Sequence, residues 1–420
     1  MGSGQRPARG GLIDPSQQLL ERLRLAALDQ SYVSLGDRRT TSVHEFYRYP
    51  ARFSPSFARA AIEAFTVPGD SLLDPFVGGG TTLIEAGLSG RRAVGADLNS
   101  LAVFVTHAKA ELRSEDSVRQ VREWADQLDQ VINMHGTAPS QDFWKQAGYL
   151  RYLSGSDTWR IRKAISQALH SLFTVRDPKA RSLARLAILR TSQSVLDMRQ
   201  EVPPVAEFRE RLAANTLGMC DIAAEYTVRV RAASHAVGIS HDGHHEVLHA
   251  GLPGLSRRLA AGGHAPPQLI LTSPPYPGVY VLYHRWKLKG RKETPAPYWI
   301  ANCLDGNGLA HYTMSARSDR SLDLYFAKLR DAFGDLRNSA GADTWFVQVV
   351  GFSDVQNQLE RFLGCMETVG LSEVRLDALA TADDGRCWRN VPGRRWWVSA
   401  TQHGNAHTSR EVVLLHRVTG

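Results

Sequence analysis

The chain has 420 residues, 43% of them hydrophobic and 22% charged, with a formal net charge of +8 and a pI near 9.4. That length supports a large core and suits two domains, and the basic balance favours a polyanionic partner such as nucleic acid, although a plain basic soluble protein has the same composition. Cys220, Cys303, Cys365 and Cys387 show no CxxC spacing, no apolar run reaches about 18 residues, and the N-terminus lacks a signal-peptide core, so a zinc site, a disulfide framework and a transmembrane helix are not expected and a reducing cytoplasm is.

In chain order, residues 1–40 read as a partly disordered extension, helical from Pro15 to Leu28. A helix over Phe57–Phe65 ends at Pro68-Gly69-Asp70. It is followed by a strand at 71–75, a helix over Thr81–Leu88, a strand at 92–96 and a helix over Ser100–Leu112. This alternation predicts a parallel sheet. From 113 to 240 the periodicity is helical, with segments at Val118–Asn133, Thr158–Phe173, Ala180–Met198 and Val205–Ala232. The last two carry Arg181, Arg185, Arg190, Arg199, Arg209, Arg211, Arg229 and Arg231, either a solvated face or a phosphate-tracking surface. Strand and helix then alternate again: Glu246–Ala250, Leu255–Ala261, Leu269–Thr272, Leu322–Arg337, Thr344–Val350, Val355–Thr368, Glu373–Leu376 and Glu411–His416.

Two turns carry chemistry. Leu72-Leu73-Asp74-Pro75-Phe76-Val77-Gly78-Gly79-Gly80-Thr81-Thr82 runs from a strand through three glycines into a helix. The glycines let the backbone approach a ligand, and the helix start offers free N–H groups. Asp97 ends the next strand 19 residues after Gly78, where an acid binds ribose hydroxyls. Leu83 stands where a nicotinamide-binding fingerprint needs its third glycine, and no Gly-Lys-Ser/Thr follows for a phosphate-binding loop. The second turn is Thr272-Ser273-Pro274-Pro275-Tyr276, after the apolar run Leu269–Leu271. Its prolines fix φ and lack donors, leaving carbonyls to accept, and tyrosine offers a stacking face. Such a turn suits a planar group bearing an exocyclic amine; the plainer reading is a simple turn.

Three other clusters stand out. His241, His244, His245 and His249 lie in a loop and strand with no acid or cysteine to complete a site, so a polar loop is expected there and no metal. Lys287, Lys289, Arg291 and Lys292 follow Tyr280, Tyr283 and Trp286; Arg389, Arg394 and Arg395 interleave with Trp388, Trp396 and Trp397. Both stretches are candidates for DNA contact through phosphates and stacked bases, and the second reads equally as a hairpin packing its tryptophans on the sheet.

Together the two turns resemble motifs I (Phe-x-Gly-x-Gly) and IV of the amino-group DNA methyltransferases. His44-Glu45-Phe46-Tyr47-Arg48-Tyr49-Pro50-Ala51-Arg52-Phe53-Ser54-Pro55 resembles motif X, which packs over the methionine end of the cofactor. The resemblance covers roughly 41–110 and 265–282, and loosely the terminal strands. It implies a Rossmann-like α/β fold with a mostly parallel seven-stranded sheet whose final strand is antiparallel. It also implies S-adenosylmethionine as cofactor, held by Tyr49, Pro50, Asp74, Phe76, Gly78, Gly80, Thr81, Asp97, Leu98 and Asn99. The serine-first motif IV is typical of enzymes acting on the N(4) amine of cytosine; adenine-N(6) enzymes more often carry aspartate or asparagine at that position. Ser273 and the Pro274 carbonyl then accept hydrogen bonds from a flipped-out cytosine amine, with Pro275 and Tyr276 completing the turn and tyrosine stacking on the base. The 192 residues between Gly80 and Thr272 exceed what the sheet needs. In the family an insertion there often houses target recognition, so 41–112 and 241–420 form the expected catalytic domain and 113–240 a helical insertion, either for DNA contact and target recognition or, equally, a helical lid or dimerisation arm. The expected partner is double-stranded DNA, in a restriction-modification or epigenetic setting that can include a cognate restriction endonuclease, with the enzyme a monomer or dimer and no membrane partner. Alternatives are an adenine-N(6) or RNA amine methyltransferase, and a non-catalytic DNA-binding protein on the same fold.

Overall fold

A computed structural model of the chain describes residues 15–29, 42–49, 53–240, 244–277, 285–305, 314, 319–391 and 409–419. Ten strands are described: β1 (Ser71–Asp74), β2 (Arg92–Asp97), β3 (His245–His249), β4 (Leu269–Thr272), β5 (Trp286–Leu288), β6 (Lys292–Thr294), β7 (Trp345–Gly351), β8 (Leu371–Val374), β9 (Cys387–Val391) and β10 (Ser409–Val418). Fourteen α-helices accompany them. Four flank the first strands: α1 (Gln17–Leu28), α2 (Pro55–Phe65), α3 (Thr81–Leu88) and α4 (Ser100–Ala110). Six form a helical block: α5 (Glu115–Asp126), α6 (Leu128–Val131), α7 (Asp142–Gln146), α8 (Trp159–Ser171), α9 (Pro178–Leu196) and α10 (Val205–Ala236). Four follow it: α11 (Leu255–Ala261), α12 (Ala296–Ala301), α13 (Asp319–Ser339) and α14 (Val355–Thr368).

Eight strands form one sheet in the order β3-β2-β1-β4-β7-β10-β8, with β9 also on β10. Pairs from β3 to β7 are parallel, while β10 runs antiparallel to β7, β8 and β9. This is a Rossmann-like α/β sheet with eight strands where seven were expected. The additional strand is β9, whose backbone pairs with residues 409–413 while β8 takes residues 415–418 further along the same edge.

The central strands are apolar on both faces, as parallel strands covered on two sides require. Leu269, Leu271, Trp345, Val347, Val413 and Leu415 pack with α1 and α2. Ile270, Phe346, Val350, Val412 and Leu414 pack with α11, α13 and α14. A third core joins the helical block to Val43–Tyr49, α4 and residues 286–301, so the block shares one interior with elements beside the sheet.

Gly95 in β2 lets the β1–α3 loop close on the sheet. A Cβ there would lie 2.7 Å from Val77 Cγ2 and 3.1 Å from Leu83 Cδ1. Val77 and Leu83 are buried and have no room to retreat. Gly95→Ala should lower stability by about 1–3 kcal/mol, read as a reduced urea midpoint with an unchanged slope.

Candidate active site

Open α/β sheets hold ligands outside the carboxyl ends of strands where the winding direction switches. Here that point lies between β1 and β4, and a single carboxyl joins their ends. Asp74 Oδ2 accepts from Thr82 Oγ1 at 2.6 Å; Oδ1 accepts from Thr272 Oγ1 at 2.9 Å and from Phe76 N at 3.2 Å. The structure thus puts Asp74 beneath the crevice, 3% exposed, as the tie between the glycine loop and the Ser-Pro-Pro-Tyr turn. Burial pushes its pKa up to about 6, against the lowering effect of its three donors.

The glycine loop is shaped by close approach. Gly78 and Gly80 have φ of 49° and 82°. A Cβ on Gly79 would stand 3.0 Å from Tyr49 Cβ, and one on Gly80 would stand 2.9 Å from the Thr106 side chain. Thr106 Oγ1 donates to Gly78 O at 3.0 Å. The buried Lys109 Nζ donates to Gly79 O, His44 O and Tyr47 O at 3.1–3.2 Å, fastening residues 42–49 onto the loop. Glu85 on α3 holds the same segment through His44 Nε2 at 2.7 Å, and its other oxygen accepts from Arg59 Nε on α2 at 2.7 Å. Burial raises the Glu85 pKa, but His44 and Arg59 outweigh it and the net shift is downward.

Asp97 Oδ2 accepts from Gly78 N at 2.9 Å and Oδ1 from Asn99 N at 2.8 Å; burial pushes its pKa up to about 6 against these bonds. Asn99 is buried, caps α4 at Leu101 N, donates to Tyr49 Oη at 3.2 Å and accepts from Tyr298 Oη at 3.0 Å. Phe76, Gly78, Asp97 and Leu98 are half-buried among buried neighbours and form the rim. Thr81 is buried, and α3 starts at Gly80 without a side-chain cap, so its first N–H groups lie at the loop. Glycines that admit close approach, an acid at a strand end and an uncapped helix start fit the ribose and carboxylate of S-adenosylmethionine.

At the turn, Ser273 is half-buried and its Oγ lies 3.0 Å from Val349 O and 3.1 Å from Tyr276 Oη. Tyr276 donates to Glu411 Oε1 at 2.7 Å, and Tyr325 Oη donates to the Pro275 carbonyl at 2.6 Å. Pro274 is buried. Tyr276 is 8% exposed and belongs to the core.

The basic candidates separate. Lys287, Lys289, Arg291 and Lys292 are exposed on the β5–β6 hairpin, with Lys289 paired to Asp157 and Lys292 lying 5.5 Å over the Tyr152 ring. Arg389 instead turns inward, its Nε and Nη2 on Glu411 Oε2 at 2.8 and 2.6 Å, because the buried carboxylate requires a partner. Trp388 is buried beside it. Pro50, Arg394, Arg395 and His241 lie outside the described residues. Arg185 and Arg190, on the arginine-rich helices, donate to the Ile300 and Glu45 carbonyls. Among the described residues no group of histidines, cysteines and acids is placed to hold a metal, and no helix is long and apolar enough to cross a membrane. Sequence reasoning missed Glu411, Gly351 and Asn99's partner Tyr298; the only signal was a glycine closing the apolar strand β7.

A DNA methylase family model, of the N6/N4 methyltransferases, matches residues 28–106. The chain is 52% identical over 52 residues to the tRNA (guanine(10)-N2)-dimethyltransferase of Methanothermobacter thermautotrophicus, covering 12% of this chain and 16% of that one. It is 35% identical over 71 residues to the type II methyltransferase M.BsoBI of Geobacillus stearothermophilus (17% and 14%), and 31% identical over 103 residues to M.MvaI of Kocuria varians (23% of each). The matches thus span less than a quarter of these relatives' lengths. They imply S-adenosylmethionine as the methyl donor, and the rim residues suit it.

The raised acids have a pH signature. Unfolded aspartate ionises near pH 4; folded Asp74 does so at about 6. Asp74 therefore favours the fold most below about pH 4, and that advantage is lost as pH rises to about 6. Asp74→Asn should remove roughly 2–3 kcal/mol of this decline, read as the difference between wild-type and variant urea stabilities from pH 4 to 7.

Proposed function

We propose that the chain transfers a methyl group from S-adenosylmethionine to the exocyclic N(4) amine of a cytosine in double-stranded DNA. The observation that supports this most is the Asp74 tie, which holds the glycine loop and the Ser-Pro-Pro-Tyr turn together at one switch point. The cofactor supplies an electrophilic methyl on a sulfonium. A nucleobase amine is a poor nucleophile because its lone pair is delocalised into the ring. Ser273 Oγ and the Pro274 carbonyl accept from its N–H groups, which draws the nitrogen toward tetrahedral geometry. With the cofactor bound, the N–C bond would form as the S–C bond broke, leaving a neutral thioether, and the surplus proton would pass to water. Positioning and fixed dipoles supply the acceleration, with no covalent nucleophile. The base must first leave the duplex, at a cost of a few kcal/mol. Asp97 binds the ribose; Tyr49, anchored by Asn99, closes over the loop.

In this reading 41–112 and 241–420 are the catalytic unit, and the helical block with the β5–β6 hairpin contacts DNA. The exposed Lys287, Arg291 and Lys292 support the hairpin's part. A restriction-modification role, with an endonuclease partner, follows the type II relatives. A second reading, an RNA amine methyltransferase, is favoured by the first-mentioned relative, whose name specifies a guanine N2 in tRNA.

Incubating the chain with labelled cofactor and, in parallel, unmethylated genomic DNA and total RNA, then identifying the modified nucleoside by mass spectrometry, tests the proposal. N(4)-methylcytosine is expected. N(6)-methyladenine alone, or label only in RNA, shifts the assignment to the alternatives. Ser273→Ala should lower kcat roughly 100-fold with cofactor binding retained. Changing Lys287, Arg291 and Lys292 to glutamine should flatten the slope of log affinity against log salt by about 3 if the hairpin meets phosphates.

A further inference from the structure

We propose that Glu411 is a positioning residue that fixes Ser273 as a hydrogen-bond acceptor, so that only a donor, an amine rather than a carbonyl, is accepted at that point of the substrate. This rests on reading the Ser273 turn as the base-binding site. Glu411 lies on β10, outside all three motifs, and is fully buried.

Three strands bring the parts into one row. Arg389 on β9 is the register partner of Glu411, and Glu411 is the register partner of Gly351 at the carboxyl end of β7. A Cβ on Gly351 would stand 2.9 Å from Tyr276 Cε2 and 3.4 Å from Glu411 Cγ. Glycine there makes room for the tyrosine ring, whose hydroxyl reaches past it to Glu411 Oε1 at 2.7 Å. The other oxygen, Oε2, takes both Arg389 contacts, at 2.8 and 2.6 Å, and the guanidinium lies 5.6 Å over the Phe57 ring.

The polarity follows from donors and acceptors alone. Facing a guanidinium, the glutamate is a carboxylate, which can only accept. Tyr276 must therefore donate to it, which leaves phenol lone pairs toward Ser273. The single serine proton then goes to Tyr276 Oη or to Val349 O, at 3.1 and 3.0 Å. In either case Ser273 presents lone pairs to whatever enters the crevice, and the Tyr276 contact, added to the one at Val349 O, fixes where Oγ points, so Tyr276→Phe removes the aim of those lone pairs. A carbonyl there meets lone pairs; an amine donates into them. A glutamine at 411 can turn its amide N–H toward Tyr276, free the phenol proton for Ser273 and reverse the chain.

The test uses full-length protein, labelled S-adenosylmethionine and unmethylated genomic DNA, with Tyr276→Phe, Glu411→Gln and the double variant. Tyr276→Phe keeps the ring and the Glu411–Arg389 pair, so it remains informative if Glu411→Gln fails to fold. Each folded variant is expected to keep cofactor affinity by calorimetry and KM for DNA, and to lose roughly tenfold or more in kcat. The double variant should be no worse than the worse single, because the residues act as one chain. Wild-type kcat in Tyr276→Phe, or losses that multiply in the double variant, would overturn the inference and leave the proposed function standing. No labelling of nucleic acid by the wild type would overturn both.

Discussion

The carboxyl of Asp74 is shared between two threonines from distant parts of the chain, Thr82 at the start of α3 and Thr272 at the end of β4. Everything the crevice can do depends on the spacing it fixes. Methyl transfer requires donor and acceptor to meet within a few tenths of an ångström of the productive geometry, and the two turns come from strands joined by only two register pairs. An isolated buried carboxylate is costly. Three donors offset part of that cost, but burial outweighs them and holds the pKa up at about 6. A valine there would be less costly to bury, but it would leave two hydroxyls unpaired and the two turns free to shift.

A second layer presses on the loop from above. Residues 42–49 are held by carbonyls on Lys109 and by the His44–Glu85–Arg59 cluster. Tyr47 also accepts from the Trp286 indole at 3.2 Å. Trp286 opens the basic hairpin, whose Lys287 backbone meets Asp197 at the end of α9. The segment over the glycine loop and the hairpin proposed to meet DNA therefore rest on the same helices and share one core. That also explains why Arg185 and Arg190 of α9 are poor candidates for phosphate contact: they staple α12 and the 42–49 segment to this block.

Much of the frame was readable from sequence because glycine and proline punctuate it. The helices Thr81–Leu88, Leu255–Ala261 and Val355–Thr368 and the strand Leu269–Thr272 coincide with their expected bounds. The misses are local and physical. The hairpin strands β5 and β6 have three residues each, too short for alternation to register. β8 begins two residues before its expected start, at Leu371, because its first residue is core rather than loop. The helix expected over Val118–Asn133 divides at Gln127. At the site, the residue types were legible but their partners were not. Asp74 to Thr272 and Tyr276 to Glu411 are bonds across 198 and 135 positions, and no periodicity carries such information. Arg389 shows the same limit: an arginine beside a tryptophan reads as a nucleic-acid contact until a buried acid on the facing strand claims it.

The Ser273–Tyr276–Glu411 chain also bears on why a serine can serve where an aspartate serves in related turns. Both accept from an amine, but they place charge differently. An aspartate sets its negative charge against the amine nitrogen and the approaching sulfonium. Ser273 is neutral, and the carboxylate behind it stands one phenol away, itself neutralised by Arg389. In the proposed reaction the crevice would thereby gain the directionality of an acceptor without a bare charge at the transfer point. In that reaction an amine becoming positive as the bond forms would be stabilised through a polarised hydroxyl pair, and such pairs strengthen one another where the local dielectric is low. On this argument the serine is one end of a buried acceptor system extending across β10 to β9.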